Sequence, residues 1–271
     1  MLSVMTFNVL ASLFEMRDHL PNHMPFAVRF PKVLSLINSH DCDIVLLNEC
    51  EPLRPYASAM VDRYHLIHFD KSVILAKKRT IRLHGHHQVF RESPRSPHFL
   101  LATLCEHLPT GHHFTASTMH MKADGVDRQK GNADVSMCHL RIQHLRAIIP
   151  QLMGWSRSTT RSPPLIFGGD FNCRPTDATM GYLLSRANMP VSLFSAIAES
   201  RGGLEPPFTC LDSSYGTPWH ATLDYILAER GKFEVNCLLS VLPTLQDYGN
   251  ADAVPFTGSD HIPLAVELQF T

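Results

Sequence analysis

Short apolar runs that stop on an amide, a carboxylate or an imidazole recur along this 271-residue chain, and they limit its fold more than any other feature. The run at Val4–Val9 ends at Asn8, Asp43–Leu47 delivers Asn48 and Glu49, and His113–Met119 delivers His120. Leu165–Phe167 passes through Gly168 and Gly169 into Asp170 and Asn172, Asp224 lies within Leu223–Leu227, and Asp260-His261 precede Ile262–Gln269. Runs this short and rich in Val, Ile, Leu and Phe fit strands buried on both faces, which need cover on both sides. Tyr64–His68, Lys71–Ala76 and Phe99–Glu106 add further strands, the last joined to His113–Met119 by the turn formers Pro109-Thr110-Gly111. Helical spacing appears in Phe26–Asn38, although Pro31 interrupts its first turn, and in Ser136–Leu152, with Leu140, Leu145, Ile148, Ile149 and Leu152 on one side. Lys122–Val135 and Ser156–Pro164 read as polar connectors. With no internal repeat and no long linker, residues 1–271 are expected to form one domain, an α/β protein built on packed sheets.

Composition narrows the function classes. At 44% hydrophobic and 18% charged, the chain can bury a core and is not a disordered polymer. No apolar stretch approaches the roughly 20 residues of a membrane-spanning helix, and the N-terminus lacks the basic and apolar regions of a signal peptide. An intracellular, cytoplasmic protein is therefore expected, with a targeting segment ahead of the first strand left open. Lys and Arg number 24 against 25 Asp and Glu, which argues against a broad basic face for nucleic acid. A phosphate-bearing substrate would have its charge met locally. Seven cysteines without a C-x-x-C pair read as reduced core thiols.

Each polar residue at a strand end is, alone, a turn former or a cap. Together, Glu49, Asp170, Asp224 and Asn172 supply the oxygen donors that a hard divalent cation needs, and carboxylates packed closely without one repel. His120 and His261 add a base and a donor for charge on a phosphoryl oxygen. The combination suits metal-assisted attack of water on a phosphate ester.

The ordered blocks TFNVLAS, DIVLLNE, TMHMKA, GGDFNCRP, TLDYI and GSDHIPL, spanning residue 4 to about 268, resemble the endonuclease/exonuclease/phosphatase superfamily, whose relatives include DNase I. TFNVLAS, HMKA and KSVILAKKRTIRL are most similar to its deadenylase, nocturnin and Angel branch. The resemblance implies a four-layer α/β/β/α sandwich with the active site at its mouth, and Mg²⁺ as cofactor with Mn²⁺ as a substitute. It implies that Glu49 is the principal metal ligand, with Asn8 beside it and Asp260 as a further acidic ligand. His120 would contact the scissile phosphate. Asp170 would orient or deprotonate the attacking water, and Asn172 would bind phosphate or metal. Asp224 would be another acidic member, and His261 would pair with an aspartate, as base or as phosphate contact. The residue that abstracts the proton stays open. The implied activity is a 3′ exoribonuclease of deadenylase type. A phosphatase for a dinucleotide 2′-phosphate, a DNA-end phosphodiesterase and a non-catalytic binding module are the alternatives. The chain departs from the family pattern at Asn48, where Gln is common, and at Met121, where Leu is expected. It carries no leucine-rich repeat region for recruitment to larger assemblies.

Weaker signals surround this set. Tyr215 and Trp219, ahead of Asp224, are placed either to stack on a base or to pack under a loop. Lys122, two residues past His120, could reach a phosphate. The basic run Lys77, Lys78, Arg79 and Arg82 reads as a sheet edge protected by charge. His84, His86 and His87 read as a polar loop because no carboxylate or thiolate lies nearby in sequence. Arg141 and Gln143 are read as facing solvent or lying near the sheet rim. Oligomeric state is left open.

Overall fold

Alternation along strands that are apolar on both faces sets the layering. Leu46 of the run IVLLN faces one way, and Val45 and Leu47 face the other, so the sheet they belong to must be covered twice. The computed structural model describes residues 1–12, 24–124, 135–158, 162–212, 219–240 and 253–271. In chain order the elements are β1 (Leu2–Asn8), α1 (Phe26–His40), β2 (Ile44–Asn48), α2 (Leu53–Met60), β3 (Tyr64–Phe69), β4 (Ser72–Lys77), β5 (Ile81–Arg91), β6 (Phe99–His107), β7 (His112–Met119) and α3 (Val135–Ser158). There follow β8 (Leu165–Asp170), α4 (Ala178–Leu184), β9 (Leu193–Ser195), α5 (Ala196–Ser200), β10 (Cys210–Asp212), β11 (Trp219–Ala221), β12 (Asp224–Glu229), β13 (Phe233–Leu238), α6 (Val254–Thr257) and β14 (Leu264–Phe270).

Two six-stranded sheets form, in the orders β13-β14-β1-β2-β4-β3 and β5-β6-β7-β8-β12-β9, with β10 and β11 as a separate ribbon. They meet face to face through Leu2, Val4, Leu46 and Ile74 of the first and Leu101, Cys105, Phe114, Ile166 and Ile226 of the second. The outer face of the first sheet packs Met5, Phe7, Val45 and Leu47 with Val33 and Ile37 of α1 and Tyr56 and Met60 of α2. The outer face of the second packs Leu100, Ala102 and Phe167 with Leu145, Ile148, Ile149 and Leu152 of α3. Each of these aliphatic side chains contributes about 1.5–3 kcal/mol by leaving water, which is what holds the four layers together. The expected four-layer sandwich is the observed one.

Three details differ from the sequence reading. Helix α3 runs past Leu152 to Ser158, and its apolar stripe omits Leu140, which is exposed. Arg141, expected at the surface or the rim, is buried instead, and its guanidinium pairs with Asp124 at 2.7 Å and Asp177 at 3.1 Å. The segment holding His84, His86 and His87 is not a loop but part of β5, the edge strand of the second sheet. The polar stretch looked like a loop because an edge strand's outer face can be fully hydrophilic. Arg82, on that same strand, is in keeping with a charged edge.

All seven cysteines are free thiols, five of them buried, and burial pushes Cys42 and Cys210 up to about 12. Among the described residues no helix is long and apolar enough to cross a membrane.

Candidate active site

Strand register brings the polar strand ends to one rim. Asn8 of β1 lies opposite Asn48 of the parallel β2, and Asp224 of β12 lies opposite Asp170 of the antiparallel β8. β7 and β8 run parallel with Thr118 opposite Gly168, so His120 and Asp170 emerge side by side. The rims of the two sheets face each other, which is why residues more than 160 positions apart can share a hydrogen bond.

Asp170 is the hub. Asn8 Nδ2 donates to Asp170 Oδ2 at 3.0 Å and to Glu49 Oε1 at 2.9 Å, while Asn8 Oδ1 accepts from the Leu10 N–H at 3.1 Å. Asn8 thus turns its NH₂ toward the two carboxylates and bridges them. His120 Nε2 stands 3.5 Å from Asp170 Oδ2 and 3.7 Å from Glu49 Oε1. His261 Nε2 stands 3.7 Å from Asp170 Oδ2, and its Nδ1 lies 2.7 Å from Asp224 Oδ2. Asp170 Oδ1 accepts the Asn172 N–H at 2.9 Å, and Asn172 Nδ2 donates to the Met121 carbonyl at 3.1 Å. Glu49, whose own backbone is at φ 57°, accepts the Ala11 N–H through Oε2 at 3.1 Å.

Buried groups aim these side chains. Asn48 Oδ1 accepts the Asp170 N–H at 2.9 Å, and its Nδ2 lies 3.3 Å from Ser72 Oγ and 3.4 Å from Thr118 Oγ1. The amide that is one methylene shorter than the family's usual Gln therefore still spans the gap between the sheets. Gly169 sits at φ 139°, where a Cβ would stand 2.2 Å from the Met119 carbonyl oxygen and 2.9 Å from Asn48 Oδ1. Backbone strain and overpacking then act together at the residue before Asp170. Gly169→Ala is expected to cost about 2–4 kcal/mol, read as a lowered urea midpoint, and an unchanged midpoint would contradict this close approach.

Two arginines, Arg29 and the Arg141 expected at the surface or the rim, are built into the frame. Arg29 of α1 is buried, donating through Nη1 to the carbonyls of Gly258 at 2.6 Å and Val9 at 3.1 Å. Its Nη2 donates to the Leu10 carbonyl at 2.9 Å, so one guanidinium ties the chain after Asn8 to the chain before His261. Ser259 Oγ adds a bond to the Asn8 carbonyl at 2.7 Å. Arg141 Nη1 donates to the Lys122 carbonyl at 3.0 Å and holds the loop after His120. His98 was also missed. Burial, with His144, His120 and Lys122 nearby, lowers it to about 4, and it hydrogen-bonds the His120 backbone. A lone polar residue in an otherwise ordinary helix or loop leaves no mark in a single sequence.

Electrostatics sort the histidines. Burial alone would push the His261 imidazolium down, but the Asp224 and Asp170 carboxylates outweigh it and hold His261 well above the usual range. Glu49, His120 and Asp170 offer ligand atoms within 4.8 Å of one another, as do Asp170, Asp224 and His261. Two carboxylates, Glu49 and Asp170, converge on one amide NH₂ at the rim, a donor set that suits a hard divalent cation.

The remaining expected residues lie around this rim set in sequence. Asp260 has a ligand atom within 4.8 Å of those of Cys210 and His261. Lys122 is half-buried after His120. Trp219 is 38% exposed on β11. Tyr215 lies outside the described residues.

Comparison with known proteins gives the following. The model of the Endonuclease/Exonuclease/phosphatase family matches residues 5–261. The human Nocturnin catalytic domain with bound sulfate is similar at TM-score 0.75 and 21% identity, over 100% of this chain and 94% of that one. ANGEL2, a 2′,3′-cyclic phosphatase, in complex with adenosine-2′,3′-vanadate, is similar at TM-score 0.76 and 18% identity, over 98% and 95%. TDP2 of D. rerio, complexed with single-strand DNA product, is similar at TM-score 0.69 and 17% identity, over 99% and 98%. No curated protein matches the chain by sequence.

Proposed function

The chain belongs to the endonuclease/exonuclease/phosphatase family, whose members hydrolyse phosphoric esters, and from that premise we propose that it is a divalent-metal-dependent phosphodiesterase acting at the 3′ end of RNA. The observation that carries this reading is Asp170 Oδ2, the common neighbour of Asn8 Nδ2, His120 Nε2 and His261 Nε2. A carboxylate so surrounded by donors is aimed at the rim. Residues 1–271 act as one domain.

Glu49, with Asp170 close by, would hold Mg²⁺ or Mn²⁺, which supplies Lewis-acid polarisation of the phosphoryl group when bound. Asp170 orients the attacking water and takes its proton. Asn8 fixes the directions of Glu49 and Asp170. His120 and the protonated His261, backed by Asp224, face the phosphoryl oxygens, where charge grows as the water oxygen bonds to phosphorus and the ribose oxygen leaves. Asn172 contributes to the phosphate side, Lys122 to an incoming phosphate, and Trp219 and Tyr215 to base stacking. Asp260 supports the loop that carries His261.

A second reading keeps the chemistry and changes the substrate to a small nucleotide. The balance of 24 basic and 25 acidic residues favours it, since no long polyanion track is needed. Structural likeness to Nocturnin and to ANGEL2 is compatible with either reading.

The test is a hydrolysis panel in Mg²⁺ holding 5′-labelled poly(A), mixed-sequence RNA, RNA ending in a 2′,3′-cyclic phosphate, single-stranded DNA, a 5′-tyrosyl DNA end and NADPH. A ladder shortened from the RNA 3′ end is expected, and EDTA should abolish it. Phosphate release from NADPH or loss of the cyclic phosphate, with the RNA chain intact, would select the small-nucleotide reading. Undiminished hydrolysis in excess chelator would remove the metal from the mechanism.

A further inference from the structure

A second cluster of metal-binding side chains lies on the opposite end of β7 from the Asp170 rim. His113 stands six residues before Met119, about 20 Å along an extended strand. Register pairs Arg82 of β5 with Glu106 of β6, and Glu106 with His113 of β7, and places His84 two residues beyond Arg82. The neighbours Leu83, Cys105 and Phe114 pack into the core between the sheets. Alternation therefore turns Arg82, His84, Glu106 and His113 together to the outer face.

There the geometry is close. His84 Nε2 lies 2.9 Å from Glu106 Oε2, and the His84 and His113 rings stand 4.8 Å apart at 40°. One ligand atom from each of His84, Glu106 and His113 falls within 4.8 Å of the other two, and all three side chains are half-buried and reachable from solvent. Arg82 Nη1 also contacts Glu106 Oε2, at 3.0 Å, but its side chain is 60% exposed and can swing into water. Its departure would leave an ionised carboxylate beside two imidazoles on three hydrogen-bonded strands.

We propose that His84, Glu106 and His113 form a site for zinc or a similar borderline transition metal, fastening the edge strand β5 to β6 and β7. Two imidazoles and one carboxylate make a common zinc donor set, with a fourth position left for water. Mg²⁺ prefers an all-oxygen octahedron, so this site and the Asp170 rim select different cations. The clamp has a structural purpose. β5 is an edge strand with a register irregularity between His84 and Gln88, and a metal bound across three strands holds it in place.

Zinc uptake by the full chain, titrated against a chromophoric chelator in excess Mg²⁺, tests this. The wild type is expected to take up one zinc equivalent that His84→Ala, His113→Ala and the near-isosteric Glu106→Gln each weaken at least tenfold. His86→Ala, on the same strand, should bind as the wild type does. Zinc should also raise the thermal midpoint of the wild type and not that of Glu106→Gln, because only a ligand-competent native state gains. No saturable uptake, or equal uptake in all of these proteins, would overturn the assignment. Circular dichroism of each apo variant shows whether a loss comes from the site or from the fold.

Discussion

Asp170→Asn is expected to lower kcat by about a thousandfold while the protein stays folded. The magnitude follows from removing a positioned base, typically about 10²–10⁴-fold. The substitution keeps the shape of the side chain, and its amide oxygen can still accept the Asn172 N–H. What changes is the atom facing the rim. Asp170 Oδ2 now receives Asn8 Nδ2 at 3.0 Å, with His120 Nε2 at 3.5 Å and His261 Nε2 at 3.7 Å. An amide oxygen there could still accept from Asn8 but cannot take a proton from water, and an amide nitrogen there would point a donor at donors. Substrate affinity rests on other groups, so KM should move far less than kcat. Glu49→Gln should behave differently, with activity partly restored by raising Mg²⁺, because its loss weakens cation binding rather than proton transfer. If Asp170→Asn keeps activity within tenfold of wild type, the base is another residue.

The sequence carried the rim and lost the frame behind it, for a physical reason. Residues such as Glu49, Asp170 and His261 follow or precede runs whose apolar character is unmistakable, so their place at strand ends could be read without a structure. Which of them touch could not, because contact depends on strand order. The neighbouring of Asn8 and Asp170 arises from two sheets meeting, a fact that no local pattern encodes. Asp260 illustrates the limit. It adjoins His261 in sequence, yet that its carboxylate also comes within 4.8 Å of a ligand atom of Cys210 could not be read from the chain. The segment of His84, His86 and His87 reads as a loop because its outward-facing histidines hide the inward residues Leu83 and Val89 of β5, which pack on the core. Short elements such as β10 and β11 went unread, since three residues cannot show a period. Buried arginines were the largest loss. Arg141 breaks the apolar stripe of α3 and Arg29 breaks that of α1, and in sequence each resembles an ordinary solvent-facing charge.

Arg29→Met is the sharpest test of that frame. The side chain is 1% exposed and donates to carbonyls of Val9, Leu10 and Gly258 by its terminal nitrogens and of Met24 by Nε. Methionine fills much of the volume and satisfies none of these acceptors. The expected loss is about 3–5 kcal/mol, the scale on which removing a buried charged donor strands its partners. A domain of ordinary stability, about 5–15 kcal/mol, would remain folded with a clearly lowered urea midpoint. Activity should fall as well, since the same guanidinium joins the chain after Asn8 to Gly258, three residues before His261. Arg29→Lys separates the two effects. An ammonium keeps the charge but cannot reach all four carbonyls from one rigid fork, so stability should recover more than kcat. Equal recovery of both would mean that Arg29 serves the fold alone, and full activity in Arg29→Met would detach the rim geometry from this brace.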